Sequence, residues 1–169
     1  MSLSVYKLTV PAIRRGFDVL ASYIEKAAEF ARASNIHPDT LIQARLAPDM
    51  LTFAGQIQRA SDKSKNGIAR ITGVEAPRFE DNETAFDDLQ ARIAKTVYFL
   101  ESLEEHSFDG AETRPIEIKF RSINGLFTGE TYATSILLPD FYFHIATAHA
   151  ILRSRGVAIG KADYLGRLS

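Results

Sequence analysis

Apolar residues recur every three or four positions in four separate stretches of this chain, and that period admits few folds other than packed helices. In the first stretch Ile13, Phe17, Leu20, Ile24, Ala27 and Ala31 make one stripe, with Arg14, Arg15, Asp18, Glu25, Lys26 and Glu29 on the other faces. Thr9 or Ser4 is the expected cap, with Pro11 in the first turn, where its missing N–H has no intrahelical partner. Ser34-Asn35 should close the helix, and His37-Pro38 should redirect the chain. A short helical piece follows, starting at Asp39 or Thr40.

The second long helix is expected to begin near Pro48-Asp49. Its stripe is Phe53, Ile57, Ala60, Ser64, Gly67/Ile68 and Ile71, with Gly73 as its stop. Pro77 keeps the connector Val74-Glu75-Ala76-Pro77-Arg78-Phe79 non-helical. Asp81, Asn82 and Thr84 are candidate caps for a third helix. It carries Phe86, Leu89, Ile93, Val97, Leu100 and Leu103 and should end near His106.

The period then changes to two. Ile116-Glu117-Ile118-Lys119-Phe120-Arg121 alternates as a half-exposed strand does. Asn124-Gly125 is a strong hairpin-turn signal, with Leu126-Phe127-Thr128 as the return strand. A lone hairpin is marginal in water, so it should lean on the helices. The last helix is predicted from about Thr131 to Arg155, split by Pro139, with Leu138, Phe141, Ile145, Ala148 and Leu152 facing inward and Gly156 ending it. The tail Val157–Gly166 is too apolar for a free end and should dock. The expected architecture is all-α, a four-helix bundle over residues 1–169 as a single domain, with a β-hairpin in the crossover before the last helix.

With 169 residues, 46% hydrophobic and 24% charged, the chain can bury a core without staples. It has no cysteine, which removes disulfides, thiolate nucleophiles and Cys-ligated metals. The net charge of −1 gives no drive toward nucleic acid. Arg153 and Arg155 suit a helix C-terminus and do not extend into a basic, aromatic-rich stripe. With neither a signal peptide nor a membrane span in the sequence, the expected place of work is the cytoplasm.

No phosphate loop, nucleophile elbow, His-Glu-x-x-His or paired Glu-x-x-His is present. Of the four histidines, His37 and His106 read as surface residues. His144 lies at helical spacing with Phe141, Ile145 and Ala148 and should point between the helices, as a satisfied core residue or as part of a pocket. His149 is about 140° around the helix from it, so the two cannot share one ion. Asp49, Phe53, Gln56, Ala60 and Lys63 form a second row beside the apolar stripe, from which Gln56 can reach inward. His144, Gln56 and, more weakly, Asp49 are the candidate ligand pocket. Arg45, Asp62, Asp140, Lys161, Asp163 and Tyr164 read as caps, surface charges or tail-docking groups.

The stretch Leu138-Pro139-Asp140-Phe141-Tyr142-Phe143-His144-Ile145-Ala146-Thr147-Ala148-His149-Ala150-Ile151-Leu152-Arg153, with Gly156-Val157, Lys161–Gly166, Arg45–Met50 and Gln56, resembles an uncharacterised bacterial family within the DinB/YfiT-like superfamily of four-helix bundles. The resemblance covers nearly the whole chain. It implies a bundle that often forms homodimers. It further implies, for many members, a divalent metal held by three histidines, one on the second helix and two in a His-x-x-x-His on the fourth. Some relatives transfer low-molecular-weight thiols or hydrolyse small adducts. Here His144 matches the first histidine of the fourth-helix pair, but Ala148 stands four later and the second helix offers Gln56 near the expected place. An imidazole and an amide make a poor site for zinc or nickel. The expectation is therefore a domain without the metal triad and without a cofactor, binding a small ligand or acting as a homodimer. The alternative is a metal-dependent thiol transferase or hydrolase. Neither nucleic acid nor membrane is an expected partner.

Overall fold

The computed structural model describes residues 4–120 and 124–166. Helix α1 runs Val5–Ala33, capped by Ser4, whose hydroxyl accepts from the Lys7 N–H at 3.2 Å. It starts earlier than expected and takes Pro11 into its interior. The proline is tolerated because Lys7 and Pro11 both lie on the exposed face, where the carbonyl that loses its donor meets water. Thr9 bonds back to the Val5 carbonyl at 2.7 Å and caps nothing. Asn35, at φ 52, turns the chain out of the helix.

The short helix α2 spans Asp39–Ile42. Helix α3 spans Phe53–Thr72, four residues later than Pro48-Asp49 suggests. Pro48 and Asp49 lie in a turn, and the cap is Thr52, which accepts from the Gly55 N–H at 3.1 Å. Gly73 closes α3 at φ 81, the left-handed region where a side chain would be strained. Helix α4 spans Phe86–Glu101. Its cap comes from inside the helix: the Asp88 carboxylate reaches back to the N–H groups of Thr84 and Ala85 at 3.0 and 2.9 Å. Neither Asp81 nor Asn82 caps it. Beyond α4, Leu103 stays buried and a 3₁₀ turn covers Glu105–Phe108.

Strand β1, Pro115–Lys119, pairs antiparallel with β2, Asn124–Thr128. Asn124 faces Lys119 and Gly125 faces Ile118, so the Asn-Gly pair belongs to the second strand and not to the turn. The connecting residues 121–123 lie outside the described residues. Ile116 and Ile118 are buried while their neighbours are exposed, and this face rests on the bundle.

The last long helix is continuous from Gly129 to Ser154. It comprises α5 (Gly129–Tyr132), a π-helical segment (Ala133–Leu137) and α6 (Leu138–Ser154). Pro139 does not split it. The wide turn just before the proline, where the Leu138 N–H bonds to the carbonyl of Ala133, takes up the local disruption. By length and composition this helix could cross a membrane, but here it is a core element of the bundle, with Phe141, Ile145, Ala148 and Leu152 fully enclosed. The tail buries Val157 and Ile159 and ends in α7, Lys161–Leu165, tied to α1 by Lys26 and Asp163 at 2.5 Å.

Helices α1, α3, α4 and the Gly129–Ser154 helix surround one contiguous apolar core. The closest pairing is α3 with α6. Gly67 of α3 lets the π-helical segment just before α6 approach: a Cβ there would come within 2.4 Å of Leu137. This pairing sets Gln56 opposite His144.

Candidate functional site

His144 is only 7% exposed, so its ring nitrogens need partners within the protein. Gln56, at 2% exposure, faces it across the α3–α6 seam. The Gln56 amide nitrogen donates to the Leu51 carbonyl at 3.2 Å, which leaves its Oε1 pointing at the imidazole. His144 Nδ1 lies 2.8 Å from that oxygen and, facing an acceptor, is the donor. Nε2 approaches Asp140 Oδ1 at 3.3 Å, an ion pair when the ring is protonated. The other Asp140 oxygen takes Lys63 Nζ at 2.9 Å. The neighbouring His144 ring holds the Asp140 carboxyl below the usual range against the opposing effect of burial, with Lys63 assisting.

A polar chain therefore runs from the Leu51 carbonyl just before α3 through Gln56, His144 and Asp140 to Lys63. Exposed Phe143, with its ring edge-on to His144 at 5.5 Å, and exposed Leu51 flank it. The structure brings together His144 and Gln56 as the sequence suggested. It does not bring Asp49 to them: Asp49 is exposed in the turn before α3. The carboxylate that meets the imidazole is Asp140, one helical turn before it on the same face. That spacing of four was the available signal.

Among the described residues no three His, Asp or Glu side chains converge as a ligand set. Both ring nitrogens of His144 face protein partners, and the position one turn on is Ala148, fully buried in the apolar core.

The same chain of residues can be set beside known proteins. The model of a domain of unknown function, DUF1993, matches residues 5–165. The chain belongs to the DUF1993 family. A crystal structure of a DinB family member from Shewanella denitrificans is 38% identical, with a TM-score of 0.90, over 96% of this chain and 92% of that one. No curated protein matches. The DUF1993 chain is thus a DinB-like helical bundle.

Two further polar clusters in this DUF1993 chain were not read from its sequence. Arg92 of α4 has a side chain 1% exposed. Its guanidinium meets Asp62 at 2.9 Å, Asp81 at 3.0 Å, Glu83 at 2.9 Å and the Glu80 carbonyl at 2.9 Å, while Nε has no partner. Hydrogen bonds from Arg92 and Gln58 hold the Glu83 carboxyl below its ordinary value, outweighing the opposing effect of burial. The cluster pins the connector before α4 to α3 and α4. Between α1 and α6 the Tyr23 hydroxyl and His149 Nδ1 share a hydrogen bond at 2.7 Å. Burial pushes the Tyr23 phenol far up and the His149 ring down, so both groups stay neutral in this bond.

Proposed function

We propose that this protein is a metal-free, DinB-like binding module in which a hydrogen-bonded chain stands where relatives of the fold hold a metal. The observation that carries the reading is that, among the described residues, no third His, Asp or Glu joins His144 and Asp140, and the remaining partner of the ring is the Gln56 amide. With Nδ1–H given to the Gln56 oxygen, Nε2 alone keeps a lone pair, and of the further donors a metal needs only Asp140 lies beside it, with Ala148 standing one turn on. Asp140 and Lys63 form the outer, half-exposed end of the chain, where a small polar molecule can exchange its own groups for theirs. The exposed apolar side chains of Leu51 and Phe143 beside this end support self-association of the module as a homodimer. The chain lacks cysteine, which suits a cytoplasmic setting.

Metal content decides between this reading and metal-dependent thiol transfer or hydrolysis. Protein purified without a polyhistidine tag, dialysed against zinc, nickel or manganese and then against buffer, should retain far less than one equivalent. Retention of one equivalent that His144→Ala abolishes would establish the metalloenzyme reading instead. Sizing across micromolar concentrations reports the dimer, and a monomer throughout would remove that part of the proposal.

A further inference from the structure

An open groove of about 870 Å³ lies between the connector before α4 and the outer face of α4. One wall is Pro77 and Phe79, the other Tyr98 and Phe99. Tyr98 is 77% exposed, an unusual setting for an aromatic side chain on a bundle helix. Lys95, Tyr98 and Ser102 all line the groove, and their spacing of three and four puts them along one face of the helix.

The wall is rigid. Proline fixes the backbone at position 77, and Phe79 is held by Lys65 at 5.2 Å and Arg92 at 5.7 Å from its ring centroid. The residues that follow are fastened through the buried Arg92. The groove therefore exists before any ligand arrives, and little ordering is needed to fill it.

Its charge is distinctive. Arg78 and Lys95 line both the apolar groove and a smaller polar cavity that joins it. Most acids nearby are committed elsewhere, Asp81 and Glu83 to Arg92 and Asp88 to the cap of α4, while Glu80 lines the smaller cavity and its carboxylate accepts only from Asn82 at 3.5 Å. Among the described residues Arg78 and Lys95 form no ion pair, and only Glu75 is acidic in the groove itself. Flat apolar walls with two uncommitted cations at one end match an amphipathic anion. We infer that the groove between Pro77–Phe79 and Lys95–Phe99 binds small molecules with a flat apolar or aromatic body and a single carboxylate, sulfonate or phosphate. The body lies between Phe79 and Tyr98, and the anion meets Arg78 and Lys95. The site shares no residue with the Gln56–His144–Asp140 chain, so it stands or falls apart from the reading of that chain.

The probe is anilinonaphthalenesulfonate, with phenylnaphthylamine as its uncharged counterpart, titrated by fluorescence into full-length protein treated with EDTA. The sulfonate should saturate a single site, bind more tightly than the neutral dye, and weaken as salt is added. Arg78→Gln with Lys95→Gln should lower sulfonate affinity about tenfold or more while leaving the neutral dye nearly unchanged. Tyr98→Ala should weaken both dyes. All three side chains are exposed, and an unchanged melting temperature verifies that each variant is folded. Absence of saturable sulfonate binding, equal affinity for the two dyes, or binding indifferent to the paired Gln substitutions would each overturn the inference.

Discussion

His144 Nδ1 stands 2.8 Å from the Oε1 of Gln56, a residue 88 positions away in the chain, and with the Lys63–Asp140 pair this contact bridges the most extensively packed pair of helices. Both side chains are buried, so the bond replaces water on each side. Gln56→Leu should leave Nδ1–H unsatisfied and destabilise the protein by about 1–3 kcal/mol. The double variant Gln56→Leu/His144→Phe removes both polar groups and should recover much of that loss. Urea unfolding of the two variants checks the pair. Equal destabilisation of single and double variants would show that packing, not the bond, is at stake.

Arg92 is the most enclosed charged residue here, and three carboxylates depend on it. Arg92→Met should cost about 3 kcal/mol, because it leaves Glu83 without a counter-charge and leaves Asp62 and Asp81 to Arg59 and Lys65 alone. Adding Glu83→Gln to that variant should restore part of the stability. Chemical unfolding measures both effects.

Stability should fall with acid in two separate windows. His149 has a folded-state pKa below its ordinary 6.5, so the unfolded chain binds more protons just below that value. Stability therefore declines as the pH drops through 6.5 toward the lower folded value. His149→Gln should remove that slope. Asp140 and Glu83 are also lowered, from 3.8 and 4.5. What these carboxylates contribute is complete above those values and is lost as the pH falls through their lower folded values. Glu83→Gln should flatten this more acidic limb. Melting temperatures across the range, for wild type and both variants, separate the windows.

The helices were legible because their stripes are long: Phe53 to Ile71 repeats for five turns, and every residue of that stripe is buried. The starts of helices were harder to read. Pro48-Asp49 has the composition of a first turn, yet the Thr52 hydroxyl takes the cap, and this shift moved Asp49 off the helix. Asn124-Gly125 favours a turn locally, but the pairing of Ile118 with Gly125 sets the register and places both residues in β2. Among the candidate site residues, His144 and Gln56 followed from helical spacing alone. Asp140 lay at the same spacing from His144 but reads equally well as an N-terminal acid complementing the helix dipole. Arg92 was invisible in one dimension, because its partners come from α3 and from a connector with no periodicity.

Nitrogen-15 NMR of the His144 imidazole tests the absence of a metal role most directly. The account predicts a protonated Nδ1 whose N–H signal persists, exchanges slowly with water and is unmoved by one equivalent of zinc. An unprotonated Nδ1, or ring signals displaced stoichiometrically by zinc, would contradict it.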